Sequence, residues 1–321
     1  MIPKSANRVS DEIMVERGTR APCRYFRLGS GSIPALVFAA GAVALWSTNA
    51  LVGKSLLATH PVSQVQFLQF AGAALVFALI RFLGREAARP VAGRAAFAPL
   101  AVGFIGLVGT MVLQYVAFAS MPVIEANLVA YTWPLMVAAA VIAFENPRRP
   151  GLLGLAAALG FGGVALVISG GRESNWFQGD LVGYFAAFGS ALCMAFYSVV
   201  VGRLAMSPDR LLLPSSLIGV VLTFLWSARE GVAWPVGVDL ALGLYLGAGP
   251  MGLGYYFWSR ALKLERGGKV AVVAYLTPIA STLLLTLSGE RLTATAIAGA
   301  VLVIGSCIAV GLEHSEAQDH V

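Results

Sequence analysis

Long runs without ionisable side chains recur along this chain, at approximately 33–53, 61–80, 96–118, 122–144, 151–170, 180–202, 211–228, 238–259, 269–288 and 292–312. Nothing else in the sequence restricts its folding so strongly. In water such runs must be buried beneath polar surface, and too little of that is available. Only 12% of the 321 residues are charged, against about 25% in soluble domains, while 58% are apolar and the mean hydropathy is +0.79. The apolar excess must therefore face lipid. A bilayer core of about 30 Å takes roughly 20 residues of helix, because backbone polar groups find no water there. The runs thus predict ten transmembrane helices, with a tight turn at Ser120-Met121-Pro122 dividing a stretch too long for one span.

Basic residues orient the helices, since loops rich in Lys and Arg stay in the cytoplasm. With both termini inside, all but Lys54, Arg172, Arg229 and Arg291 of the 22 Lys and Arg fall on the cytoplasmic side. An even number of spans in a bacterial inner (plasma) membrane is expected. The first run follows thirty polar residues and lacks an A-x-A cleavage site, so it reads as a retained span, not a signal peptide. The tail before it mixes Asp11, Glu12 and Glu16 with arginines and reads as disordered or adsorbed to the membrane surface.

The net charge of +6 does not indicate nucleic acid, because the basic residues sit in short loops and do not cluster on a folded face. Cys23, Cys193 and Cys307 lie far apart, without a CxxC pair or a His at ligand spacing, so no disulfide framework, metal site or cofactor is expected.

Internal repetition is visible at nearly constant offsets. Val129-Ala130-Tyr131 and Pro134 match Val273-Ala274-Tyr275 and Pro278 at 144 residues. Gly103, Gly109, Met111 and Tyr115 match Gly243, Gly249, Met251 and Tyr255 at 140, and Gly53-Lys54 matches Gly202-Arg203. The chain order of these blocks is what persuades. Five spans per half is an odd number, so the second copy enters from the opposite side. The expected fold class is an all-α integral membrane protein with a 5+5 inverted-topology repeat. Its expected parts are a cytoplasmic tail 1–30, repeats 31–172 and 173–312, and a cytoplasmic tail 313–321.

Leu45-Trp46-Ser47-Thr48, the segment Glu125 to Pro134, Tyr275 to Pro278, Gly289-Glu290 and the glycine-rich tenth span resemble the drug/metabolite transporter superfamily in its ten-helix EamA-type branch. The resemblance covers residues 31 to 312. The Trp-Ser-Thr stretch and Asn127 followed by Tyr131-Thr132-Trp133-Pro134 are similar to its YddG-type aromatic amino-acid exporters. That likeness implies efflux of amino acids through a cavity at the centre of the bundle.

No Asp, Glu, Lys, Arg or His is expected near the middle of a span, which argues against coupling through a buried carboxylate and for facilitated diffusion or exchange of a net-neutral solute. Glu125 and Lys54, at the outer ends of their spans, read either as contributors to transport or, the favoured reading, as interfacial charges that snorkel to water. Uncharged polar residues are the candidates for substrate binding: Trp46, Ser47 and Asn49 in the first span, Gln66 and Gln69 in the second, Gln114 in the third, and Asn127 in the fourth. Hydrogen bonds between helices explain each of these equally well one by one. Together they favour a wet passage. Aromatic faces accept apolar side chains and ammonium groups, which adds Tyr115, Tyr131, Tyr197, Tyr255, Tyr256, Trp258 and Tyr275. Trp176, Trp226 and Trp234 read as headgroup anchors. Pro134 and Pro278 are expected as hinges or gates inside their spans.

The expected partners are a small-molecule substrate, with an amino acid favoured, and the lipid bilayer; nucleic acid is not expected, and a monomer is admitted. Carriers of nucleotide-sugars, sugar phosphates or cationic drugs would need basic or acidic residues in the cavity. An integral-membrane enzyme would need a carboxylate or His constellation, and the three histidines, His60, His314 and His320, lie in a loop and the tail.

Overall fold

A computed structural model describes residues 32–84, 94–145, 147, 149–169, 180–204, 206–265, 268–287 and 294–318. The expected N-terminal tail, Trp176, Arg172, Gly289-Glu290 and Arg291 lie outside the described residues. Among the described residues there is helix and no strand, as a chain in lipid requires if every backbone group is to pair internally.

The helices, in chain order, are α1 (Ser32–Trp46), α2 (Asn49–Leu57), α3 (Val62–Leu83), α4 (Arg94–Gly103) and α5 (Thr110–Ser120), with a π-helical segment, π1 (Phe104–Gly109), between the last two. There follow α6 (Val123–Ala130), α7 (Trp133–Glu145), α8 (Pro150–Ser169), α9 (Leu181–Val201) and α10 (Pro208–Glu230). The chain ends with α11 (Gly237–Leu246), a second π segment, π2 (Gly247–Gly254), α12 (Tyr255–Leu264), α13 (Gly268–Val273), α14 (Leu276–Leu287) and α15 (Ala294–Gln318). Helix thus occupies each expected run, and α5 and α6 meet at the expected turn, with Met121 extended and Pro122 preceding α6. Among the described residues, seven helical stretches are long and apolar enough to cross a membrane, from Ile33–Leu57 through Pro208–Glu230; Val270–Ser281 and Ile297–Ser306 are shorter apolar pieces.

Three expected spans are interrupted. The first breaks at Ser47 and Thr48, the fourth at Tyr131 and Thr132, the ninth at Ala274 and Tyr275. Pro134 and Pro278 therefore do not kink a continuous helix. Each sits in the first turn of a helix that has restarted. The reason is that proline cannot donate to the carbonyl four residues earlier, here Ala130 and Ala274, so the chain opens in the turn before the ring.

The helices pack in reciprocal pairs. α8 lies along α15, α10 along α3, and α9 against α5, α6 and α7, while α1 packs on α12, π2, α13 and α14. The expected fifth and tenth spans thus pack chiefly on each other. A Cβ on Gly163 would stand 2.6 Å from the Gly299 oxygen, so only glycine permits this backbone approach. The same holds between α3 and the α11–π2 junction, where a Cβ on Gly72 would meet the Leu244 oxygen at 2.5 Å.

Candidate functional site

Four polar side chains from the first three expected spans form one continuous chain of hydrogen bonds. Gln66 Nε2 donates to Gln69 Oε1, Gln69 Nε2 to the Tyr115 hydroxyl at 2.6 Å, and that hydroxyl to Asn49 Oδ1 at 3.1 Å. Gln66 and Gln69 share a face of α3 through their i,i+3 spacing. Tyr115 fits because Gly53 lies opposite it, where a Cβ would come within 2.6 Å of the hydroxyl. All four side chains are buried, and Gln66 Oε1 has no partner among the described residues. Gln114, on the next face of α5, is half-buried and outside the chain of bonds.

A second cluster is aromatic. Trp46 lies 5.9 Å edge-on from Tyr255 and 5.3 Å from Trp258, which in turn meets Trp133 at 5.4 Å; Tyr197 lies 5.7 Å from Tyr255. Such separations are favourable for tilted and edge-to-face rings. Four of the polar tips are satisfied: Trp46 Nε1 donates to the Pro250 oxygen, Trp258 Nε1 to Ser198 Oγ, Tyr255 to the Gly106 oxygen at 3.3 Å, and Tyr197 pairs with Ser259 Oγ at 2.6 Å. Tyr197 rests on Gly106 in π1. Ser198 and Ser259 were not expected as site residues; their spacing of three and four from Ala195 and Tyr255 carried no signal, because a small hydroxyl in a helix is ordinarily accounted for by its own carbonyl.

The break in the first span joins the two clusters. Trp46, the last residue of α1, belongs to the aromatic one, and Asn49, the first of α2, to the amide one. Ser47 and Thr48 between them donate their hydroxyls to the Ala44 and Leu45 oxygens at 2.7 and 2.8 Å, and Thr48 also meets the Tyr245 hydroxyl at 3.0 Å. Beyond the break the Val52 N–H donates to the Thr48 oxygen. Trp46, Thr48 and Ala50 remain partly exposed.

The other expected residues lie apart. Tyr131 and Asn127, one turn apart on the fourth span, are half-buried, and the Tyr131 hydroxyl is directed at Thr277 on α14. Tyr275 is fully buried with its ring on Gly160 of α8, so it is turned toward the α8–α15 pair. The Tyr256 ring lies 6.3 Å from that of Phe257 and is not among the rings of the aromatic cluster. Pro134 is buried beside Trp133.

Glu125 departs from the expectation. It does not snorkel: it is only 6% exposed and accepts a hydrogen bond from the Tyr184 hydroxyl at the start of α9. Lys54 is exposed, as expected of an interfacial charge. At the opposite end of the fourth span, Glu145 pairs with Arg203 at 2.5 Å.

Comparison with known proteins gives three findings. The model of the EamA-like transporter family matches residues 33–169 and 181–312. The aromatic amino acid exporter YddG of Ancylobacter novellus is 32% identical over 279 residues, covering 84% of this chain and 94% of that protein. A solved crystal structure is similar with a TM-score of 0.78 at 26% identity, covering 88% of this chain and 99% of the other.

Proposed function

The chain belongs to the EamA-like transporter family, and on that premise we propose that this membrane transporter exports aromatic or other neutral amino acids by alternating access, through a passage that opens at the break in the first span. The observation that carries the reading is the joining of the two clusters at that break. An aromatic face for a side chain and a chain of amides for polar groups meet within three residues, Trp46 to Asn49. The substrate named for the Ancylobacter novellus relative agrees with such a pairing.

The architecture behind the reading is ten spans arranged as two oppositely inserted five-helix repeats, 31–172 and 173–312, in the inner membrane with both ends cytoplasmic. Three observations support it. One family model matches both halves separately. The π segments fall in the third and eighth expected spans and breaks in the fourth and ninth. Helix partners also exchange: α9 packs on the third and fourth expected spans as α1 packs on the eighth and ninth. Alternating access is supported by an asymmetry in the fourth and ninth spans. α13 packs against α7, and no comparable packing joins α6 to α14 among the described residues. In the proposed orientation that closes the cytoplasmic end, which the Glu145–Arg203 pair spans, and leaves the outer end free to open.

Transport by exchange or facilitated diffusion follows from the placement of charge. Glu125, the buried carboxylate, lies at the outer end of its span with a Tyr184 partner, away from both clusters. The test is growth of bacteria expressing the protein on toxic phenylalanine analogues. Expression is expected to confer resistance and lower the intracellular analogue, and equal sensitivity of expressing and control cells would count against the proposal.

A further inference from the structure

At the end of the bundle that the proposed orientation places in the cytoplasm, a narrow cleft opens between α7, α9 and α12. Its lining is graded. Val137, Val141, Leu262 and Ser198 are buried within it, whereas the Glu145 and Arg203 side chains at its mouth are 30% and 46% exposed. The cleft leads inward to the aromatic cluster, because Ser198 Oγ accepts from Trp258 Nε1 and the Trp258 ring meets those of Trp133 and Trp46. Apolar walls behind one carboxylate and one guanidinium match a neutral amino acid, whose two charges sit on one carbon and whose side chain carries none.

The sides of this cleft are held in different ways. α9 is fixed closely to α12: a Cβ on Gly202 would come within 2.7 Å of the Leu262 oxygen, and Lys263 Nζ donates to the Leu204 and Met206 oxygens just beyond Arg203. At its end, α7 is tied to that block by the Glu145–Arg203 pair. Ion pairs so exposed are weak, since water competes for both partners. Their exposure also leaves both groups within reach of a solute that offers each an opposite charge.

We propose that this cleft is the entrance through which the amino acid leaves the cytoplasm, with Glu145 receiving its ammonium and Arg203 its carboxylate. This rests on the amino-acid export reading and the orientation above. The Arg203 guanidinium can hold the carboxylate through two N–H groups, and Glu145 accepts from the ammonium. Each residue then exchanges one opposite charge for another, so no charge is left unpaired while the mouth parts. A solute with a single charge would satisfy one residue and strand the other. The pair thereby selects zwitterions before they reach the clusters deeper in the bundle, whose side chains carry no charge.

The experiment is uptake of labelled L-phenylalanine into inverted membrane vesicles, which expose the cytoplasmic face, in competition with L-phenylalaninamide, which lacks the carboxylate, and 3-phenylpropionate, which lacks the ammonium. In the wild-type protein each analogue is expected to compete about tenfold more weakly than unlabelled phenylalanine, as loss of one charged hydrogen-bond partner implies. Glu145→Gln is expected to raise the half-saturating phenylalanine concentration and to favour 3-phenylpropionate over phenylalaninamide. Arg203→Gln is expected to raise it likewise and to reverse that preference. Both side chains are exposed, so neither change should prevent folding. The double variant Glu145→Arg with Arg203→Glu, which keeps both charges, should regain much of the lost affinity. Wild-type half-saturation in both single variants, or variants in which the two analogues shift alike, would overturn the receptor while amino-acid export stands. A reciprocal shift confined to right-side-out vesicles would overturn the entrance. If the wild-type protein takes up neither phenylalanine nor any other neutral amino acid, the export reading fails and this inference with it.

Discussion

The Tyr115 hydroxyl accepts from Gln69 and donates to Asn49 at once, and it can do so only because residue 53 has no side chain. Gly53→Ala is expected to push the hydroxyl aside and break both bonds. Leaving buried amides unpaired costs about 1–3 kcal/mol, which would appear as a lower unfolding temperature in detergent and slower transport. Tyr115→Phe removes the clashing oxygen, so the double variant should lose less than the sum of the two single changes; strict additivity would show that the two residues do not interact. The sequence made Gln66, Gln69, Asn49 and Tyr115 recognisable as candidates, because amides inside apolar spans need partners. It did not reveal that they form a single relay, since the contact between Tyr115 and Gly53 joins residues 62 positions apart. Glu125 was misread for a related reason. Its place near a span end suggests water, and only the packing of α9 brings the Tyr184 hydroxyl over it.

Among the elements, helix positions followed directly from charge-free runs, whereas the interruptions did not. Proline marked two of them, one turn away from the actual opening. The first-span break has no proline, and its Ser47 and Thr48 hydroxyls back-bond to carbonyls as they do in many unbroken helices. Close approach of helices is likewise hard to read where glycine is so common. Gly72 faces the Leu244 oxygen and the Gly247 Cα, backbone atoms that cannot swing away, while Gly162 has nothing within 4 Å of its would-be Cβ. Gly72→Ala should therefore separate α3 from π2 at a cost of about 1–3 kcal/mol, and Gly162→Ala should be nearly neutral. Thermal unfolding of the two purified variants distinguishes this account from one in which glycines act only by raising flexibility, which would make the pair behave alike.

At the scale of the whole molecule, the proposed two halves rest on offsets of 140 and 144 residues that preserve order across several blocks. The proposed halves are not equivalent in detail: the first span is broken, while α9, its counterpart in that proposal, runs unbroken from Leu181 to Val201. Repeat matching compares side chains and is blind to such a difference. The proposed orientation predicts that an impermeant maleimide added to intact cells labels Thr59→Cys, exposed between α2 and α3, and spares Gly84→Cys, exposed at the far end of α3; the reverse pattern would invert the topology. The account as a whole stands on passage of a neutral amino acid between the halves. Its most direct test is counterflow in proteoliposomes loaded with unlabelled phenylalanine and given external labelled phenylalanine, with no pH gradient. The expected result is transient accumulation of label that disappears when the internal phenylalanine is omitted. Label no higher than in protein-free liposomes for any neutral amino acid, or uptake that appears only with an imposed pH gradient, would contradict it.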